Sequence, residues 1–141
     1  MDFTQINWLA VFVASIAGFV IGGIWFGPKT FYPIWWKLNG NEPVNGPDGS
    51  NPLVLFGSTY VATLAQATTV AVLVELGSVV IAGFGAWEGL ATGALVGAGV
   101  AAASSLSHRL FARQGFGVWI IEVGQDIVSL AAMGLIIGGW L

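Results

Sequence analysis

The sequence predicts an all-α fold: an integral membrane four-helix bundle with a short interfacial segment between helices 1 and 2. Hydrophobic residues make up 56% of the 141 residues and charged residues only 8%, whereas a soluble domain carries about 25% charged residues. The mean hydropathy is +0.84. Four apolar runs are each long enough to cross a bilayer core of about 30 Å.

The runs predict spans at about 8–26, 53–75, 85–107 and 119–141, within a single transmembrane domain of residues 1–141. The uncharged stretch 76–87 is too short to cross the bilayer and is interpreted as a hairpin or a re-entrant turn. The first run is expected to be retained, because the residues before it include an acid and lack the basic start of a secretory signal.

The loop 27–52 is expected to be partly interfacial, because its first half is aromatic and basic while its second half is rich in Asn, Gly and Pro. Tryptophans at the ends of the runs and in this loop predict an aromatic belt at the membrane surface. We interpret them as interfacial anchors rather than ligand sites: Trp8, Trp25, Trp35, Trp36, Trp87, Trp119 and Trp140.

Charge sets the predicted orientation. The four cations, Lys29, Lys37, Arg109 and Arg113, all fall in the first and third loops. The positive-inside rule therefore predicts that loops 27–52 and 108–118 are cytoplasmic and that both termini lie outside. The net charge of −3 comes without a basic face, which argues against nucleic acid as a partner. The absence of cysteine excludes disulfides and Cys-ligated metals.

The third run carries small residues at every fourth position, on one side of a helix: Gly85, Gly89, Gly93, Gly97, Ala101 and Ser105. Each glycine costs a helix about 1 kcal/mol in water, so the spacing, that of a glycine zipper, indicates close backbone packing in lipid. The face packs against the first helix, where Gly18 and Gly22 have the same spacing, or it forms a homo-oligomer or docks on a larger membrane complex. Both alternatives stay open.

A set of motifs resembles a known family. It comprises Ile6-Asn7-Trp8 at the start of the first helix, Gly22 with Trp25-Phe26-Gly27-Pro28 at its end, Trp36 with Gly40, a glycine-rich third helix, and Gly138 with Trp140. These residues are similar to those of the small bacterial membrane proteins grouped as domain of unknown function 1761. The resemblance implies a four-helix protein of the bacterial inner (cytoplasmic) membrane, with no established activity.

Polar residues inside the fourth span lie on one helical face: Glu122, Gln125, Asp126 and Ser129. A carboxylate at the bilayer centre costs about 2.5–3.5 kcal/mol, so this face is expected to point into the bundle or a water-filled cavity. Asp126 with Glu122 is then a candidate proton or ion site. The alternative is that Asp126 hydrogen-bonds a residue such as Gln66 or pairs with Arg109.

His108 stands beside Arg109 at the end of the third span and is interpreted as an interfacial, partly solvated side chain. We predict no cofactor and no metal site. A bound lipid is compatible with the sequence, and a pigment or haem ligated by His108 is disfavoured. Gln66, in the middle of the second span, is a candidate for an interhelical hydrogen bond.

Three functions fit these features. The favoured one is a structural or accessory subunit that self-associates or joins other membrane protein subunits, surrounded by membrane lipids. The second is a small homo-oligomeric transporter or channel that uses Asp126 and Glu122. A membrane enzyme is the third, and the sequence contains no catalytic triad, metal-ligand cluster or phosphate loop that would support it.

Overall fold

A computed structural model describes residues 3–41 and 51–141. After a 3₁₀ turn at Phe3–Gln5, the helices are α1 (Trp8–Trp25), α2 (Tyr32–Leu38), α3 (Pro52–Val80), α4 (Ala86–Val96), α5 (Ala103–Phe111) and α6 (Gly115–Gly138). A π-helical segment, Gly97–Ala102, joins α4 to α5. The turns predicted over 42–50 lie outside the described residues.

Four helical stretches are long and apolar enough to cross a membrane: Trp8–Trp25, Pro52–Val80, Ala86–Phe111 and Gly115–Gly138. The stretch Ala86–Phe111, which contains α4, the π segment and α5, is called the third span below. The protein is thus an all-α multi-pass membrane bundle. The short segment between helices 1 and 2 is α2.

Caps explain where several helices begin. The Asn7 side chain accepts a hydrogen bond from the Ala10 N–H (3.1 Å), and the Asn51 side chain accepts one from the Leu53 N–H (3.0 Å). Both satisfy backbone donors that the first turn of a helix leaves unpaired. Pro52 occupies the first position of α3, where its missing N–H costs nothing.

The ends of three helices differ from the sequence expectation. α5 continues to Phe111, four residues past the expected end of the third span. α3 continues to Val80, and a five-residue turn leads directly into α4, so the stretch 76–87 forms a tight hairpin. Gly83 adopts a positive φ of 76° in this turn, a conformation that favours glycine. α6 begins at Gly115, four residues before the expected start, which places Trp119 within the helix rather than at its end.

The core lies where α1, α3 and α6 meet. Its buried side chains include Val11 and Ala14 from α1, Val70 and Val74 from α3, and Met133 from α6. α6 contacts each of the other three spans, and it packs most extensively against α4. α1 and the third span therefore lie on opposite sides of α6, so that α6 positions most of the polar residues described below.

Candidate functional site

The glycine face of the third span packs against α6, not against α1 as one sequence alternative proposed. A Cβ on Gly93 would overlap the Leu130 carbonyl oxygen and lie 2.6 Å from its carbon. A Cβ on Gly89 would overlap the Gly134 carbonyl oxygen. The two helices approach this closely because α6 also carries small residues at the contact. A Cβ on Gly134 would lie 2.7 Å from the Gly89 carbonyl carbon.

The backbones of the third span and α6 are also close at both ends of this contact. A Cβ on Gly138 would lie 3.1 Å from the Gly85 carbonyl carbon, and one on Gly97 would lie 2.7 Å from Ile127 Cα. Gly85 itself has room for a side chain, since the nearest atom to its Cβ is 3.8 Å away. What matters at Gly85 is that its backbone carbonyl lies against α6.

The four-residue register stops at Gly97, although the small residues continue at every fourth position in the sequence. The π-helical turn that begins there contains an extra residue, so the next buried small residue is Ala102 rather than Ala101. The Trp119 indole N–H donates to the Ala102 carbonyl (3.1 Å). Ala101 is half-buried, and so is Ser105, whose hydroxyl donates to the same carbonyl (3.2 Å).

The small residues of α1 also face α6. A Cβ on Gly18 would overlap Met133 Cε, and one on Gly22 would lie 3.4 Å from Gln125 Nε2. α1 and the third span therefore use their small residues on two different sides of the same helix.

Five residues form a closed ring of hydrogen bonds, in which every link but one joins two side chains. The Arg109 Nε–H donates to Glu122 Oε2 (2.6 Å), and the Trp35 indole N–H donates to Glu122 Oε1 (3.0 Å). Arg109 Nη1 also donates to Gln114 Oε1 (3.0 Å). The circuit closes through Asn39, which accepts from Gln114 Nε2 (3.1 Å) and donates from Nδ2 to the Trp35 carbonyl (3.0 Å).

This group, called the polar ring below, connects α2 to α5 and α6, two consecutive helices that come much later in the chain. Trp35 and Asn39 come from α2 and its end, Arg109 from α5, and Gln114 and Glu122 from the start of α6. The Glu122 side chain is only 16% exposed, and that of Arg109 is 38% exposed. The ion pair neutralises an acid that would otherwise be costly inside the span, and the ring holds α2 against the bundle.

Two sequence interpretations change as a result. Arg109 pairs with Glu122, and no hydrogen bond joins it to Asp126 among the described residues. Trp35 is a hydrogen-bond partner of a charged group, so the description as an interfacial anchor is incomplete. The Trp25 indole is likewise engaged within the protein, where it donates to the Ile121 carbonyl (2.9 Å).

The remaining tryptophans differ in environment. Trp87 is 74% exposed, and Trp8 and Trp140 are about half exposed near the helix ends, which is compatible with the anchor interpretation. Trp36 is partly buried, and its ring stacks with that of Tyr32 (centroids 5.6 Å apart). His108 is exposed, as expected for a side chain at the interface.

The polar face of α6 contains one residue that stands apart. Gln125 Nε2 donates to the Ser129 hydroxyl (2.9 Å), and Glu122 belongs to the polar ring. Asp126 is partly buried and makes no hydrogen bond with any residue in 3–41 or 51–141. It lies about 16 Å along α6 from Gly115, near the middle of the span. This position is deeper than the sequence predicted, because the span was expected to begin only at residue 119.

Gln66 has a comparable position on α3. It lines an open groove of about 270 Å³ between α3, the π segment and α6, and within the described ranges it has no hydrogen-bond partner. Neither the pair with Asp126 nor another interhelical bond from Gln66, both considered from the sequence, is present among residues 3–41 and 51–141. Within the same ranges, no group of three His, Asp or Glu side chains is arranged to hold a metal ion.

Residues 9–138 match the family described as "Protein of unknown function (DUF1761)". The chain belongs to this family. The resemblance noted in the sequence is therefore confirmed, and the match covers every residue of the polar ring in this DUF1761 protein. No curated protein and no solved structure matches the chain.

Sequence reasoning identified Glu122 and Arg109 as candidates but missed three members of the ring: Trp35 as a donor, Asn39 and Gln114. Asn39 and Gln114 are single polar residues at helix ends. Polar residues are common there because their side chains hydrogen-bond the nearby backbone, so neither residue indicates a longer-range contact. Only the position of α2 in space brings them together.

Proposed function

We propose that this DUF1761 protein is a structural or accessory membrane subunit that self-associates or docks on a larger membrane complex. The polar ring is the observation that supports this function best. Its side chains satisfy one another and hold α2 in place, an arrangement that gives a rigid bundle and leaves little polar chemistry free for a reaction.

The docking surface in this proposal differs from the one that the glycine spacing suggested. The glycines of α4 are already occupied by α6, so association has to use other, lipid-facing surfaces. Association in lipid relies on close packing and interhelical hydrogen bonds rather than on a hydrophobic driving force. Exposed small or polar residues within the spans are therefore the features to look for.

The test is the mass of the purified protein in lipid nanodiscs or a mild detergent, measured by native mass spectrometry. We expect a defined homo-oligomer, or a constant ratio to a second membrane protein. A chain that is monomeric and alone across a wide range of protein-to-lipid ratios would refute the proposal.

The proposal includes a location and an orientation. We place the protein in the bacterial inner membrane, with loops 27–52 and 108–118 in the cytoplasm and both termini outside, on the basis of the four basic residues in the two loops. Because the chain has no cysteine, Lys37→Cys and Arg113→Cys can be labelled individually in sealed vesicles. Labelling from opposite sides would overturn the orientation.

We further propose that the protein is not an enzyme and carries no cofactor. The support is chemical: the exposed His108 has no described partner that would make it a general base, and Glu122 is paired with Arg109. A purified protein with a stoichiometric pigment, visible in its absorption spectrum, would contradict this part.

A second function is favoured by one specific observation: Asp126, near the middle of α6, forms no hydrogen bond with the described part of the chain. An ionisable residue in that position is a candidate for binding a proton or a cation in a small transporter or channel. The experiment is proton or cation flux into vesicles that contain the wild type, Asp126→Asn or Glu122→Gln.

Glu122→Gln is the matched control, because it makes the same change from acid to amide one turn away, at a carboxylate that is already paired. Flux that is lost in Asp126→Asn and retained in Glu122→Gln would favour transport over the accessory function. An absence of flux in the wild type, with the fold intact, would rule out the transporter.

A further inference from the structure

The serine and threonine side chains along α3 follow a consistent pattern. The hydroxyl of Ser58 donates to the Val54 carbonyl (2.6 Å), and that of Thr69 donates to the Ala65 carbonyl (3.0 Å). The hydroxyls of Thr59, Thr63 and Thr68 do the same one turn back along the helix. Each hydroxyl is therefore satisfied within its own helix, as a helix exposed to lipid requires.

Gln66 does not follow this pattern. Its amide offers two donors and an acceptor oxygen, and its side chain is too long to return to its own backbone in the way that serine and threonine do. It lines the groove together with Ala65, Thr69, Val96, Val100, Ala101 and Leu130. No described residue across the groove offers a hydrogen bond to it.

The depth of Gln66 limits what can satisfy it. The residue lies about 21 Å along α3 from Pro52, in a helix about 43 Å long. Lipid headgroups do not reach the middle of a hydrocarbon core of about 30 Å. Headgroups therefore do not satisfy Gln66, whereas a side chain on another membrane-spanning segment at the same depth can.

We propose that the groove is the interface with a second copy of this chain, arranged so that the two Gln66 amides hydrogen-bond each other. This inference rests on the self-association half of the proposed function. A two-fold axis along the membrane normal brings the same residue of both copies to the same depth, and a pair of amides is self-complementary, with a donor and an acceptor on each side.

The surface beside Gln66 suits close approach of another helix. Ala62, Ala65 and Thr69 lie on the same side of α3 as Gln66 and are exposed. Across the groove, the π segment contributes Ala101 to the lining. Gly99 in the same segment is exposed, and a Cβ added there would meet no atom within 4 Å. Small side chains on both sides of the groove allow backbones to come close together, which is the main source of helix association in lipid.

Cross-linking tests the interface directly, because the chain contains no cysteine. Ala62→Cys and Ala65→Cys would each be introduced alone and oxidised in native membranes. Val20→Cys is the matched control, since Val20 is 50% exposed in the middle of α1. We expect disulfide-linked dimers from both α3 variants, with a yield at least about tenfold above the control, which corresponds to about 1.4 kcal/mol.

A second variant tests the amide. Gln66→Leu should weaken dimerisation about three- to twentyfold, the range expected for interhelical hydrogen bonds in membranes, while the thermal stability of the bundle is unchanged. Thr68→Val is its control, because that hydroxyl is also bonded within α3 and the residue lies on another side of the helix from Gln66, so it should leave the dimer intact.

The outcomes separate the two proposals. An oligomer that cross-links through Val20→Cys but not through α3, or whose strength is unaffected by Gln66→Leu, overturns this interface and leaves self-association standing. A chain that is monomeric under all conditions overturns both the interface and self-association. A constant partner protein found with such a monomer would leave only the docking half of the proposed function.

Discussion

The substitution Gly93→Ala tests the contact between the third span and α6. A Cβ at this position would overlap the Leu130 carbonyl oxygen, lie 2.6 Å from its carbon and lie 3.0 Å from Ala131 Cα. An ordinary contact begins at about 3.4 Å, so the two backbones would have to separate by roughly 1 Å. Because the obstacle is backbone rather than a side-chain end, no rotamer change relieves it.

The expected magnitude combines two opposing effects. Overpacking of a tight contact costs about 1–3 kcal/mol, and the fixed carbonyl puts this position at the upper end. Alanine favours a helix over glycine by up to about 1 kcal/mol. The net free energy of unfolding should therefore fall by about 2 kcal/mol, and Gly93→Leu should lower it further.

The assay is unfolding of the purified protein in mixed micelles with increasing denaturing detergent, followed by circular dichroism. Gly23→Ala is the control, because it makes the same change in an exposed position of α1 where a Cβ would meet no atom within 4 Å. It should be neutral or slightly stabilising. If Gly93→Ala were as stable as Gly23→Ala, the close packing of α4 on α6 would be wrong.

Two further changes test the other contacts of α6. Trp35→Phe keeps an aromatic ring but removes the donor to Glu122. Because a hydrogen bond to a charged group is worth about 1.5–3 kcal/mol, amide hydrogen exchange over Tyr32–Leu38 should accelerate at least tenfold. The control Trp87→Phe, at an exposed site, should leave this exchange rate unchanged. Gly18→Ala places a Cβ against Met133 Cε, a mobile side-chain end, so it should lower the free energy of unfolding by less than half as much as Gly93→Ala. Equal losses from these two glycine variants would show that the end of the Met133 side chain is as fixed as backbone.

The structure also separates what a local pattern can indicate from what it cannot. The spacing of Gly89 and Gly93 predicted a helix face made for close contact, and the structure places backbone against it. The same spacing could not identify the neighbour, because α1 and α6 both carry glycines four residues apart. The π segment shifts the register of buried small residues after Gly97. The regular spacing of small residues in the sequence does not predict that shift.

Composition and the lengths of the apolar runs determined the fold class, because lipid requires every spanning segment to satisfy its backbone internally. The cost of a carboxylate in lipid also predicted that the acids of the fourth span face the bundle or a water-filled cavity. Tertiary structure alone decided that Glu122 is paired with Arg109 and Trp35, that Asp126 and Gln66 have no described hydrogen-bond partner, and which helix fills the glycine face. The physical reason is that hydropathy acts along one segment at a time, whereas a hydrogen bond or a backbone contact needs two segments at a defined distance and angle.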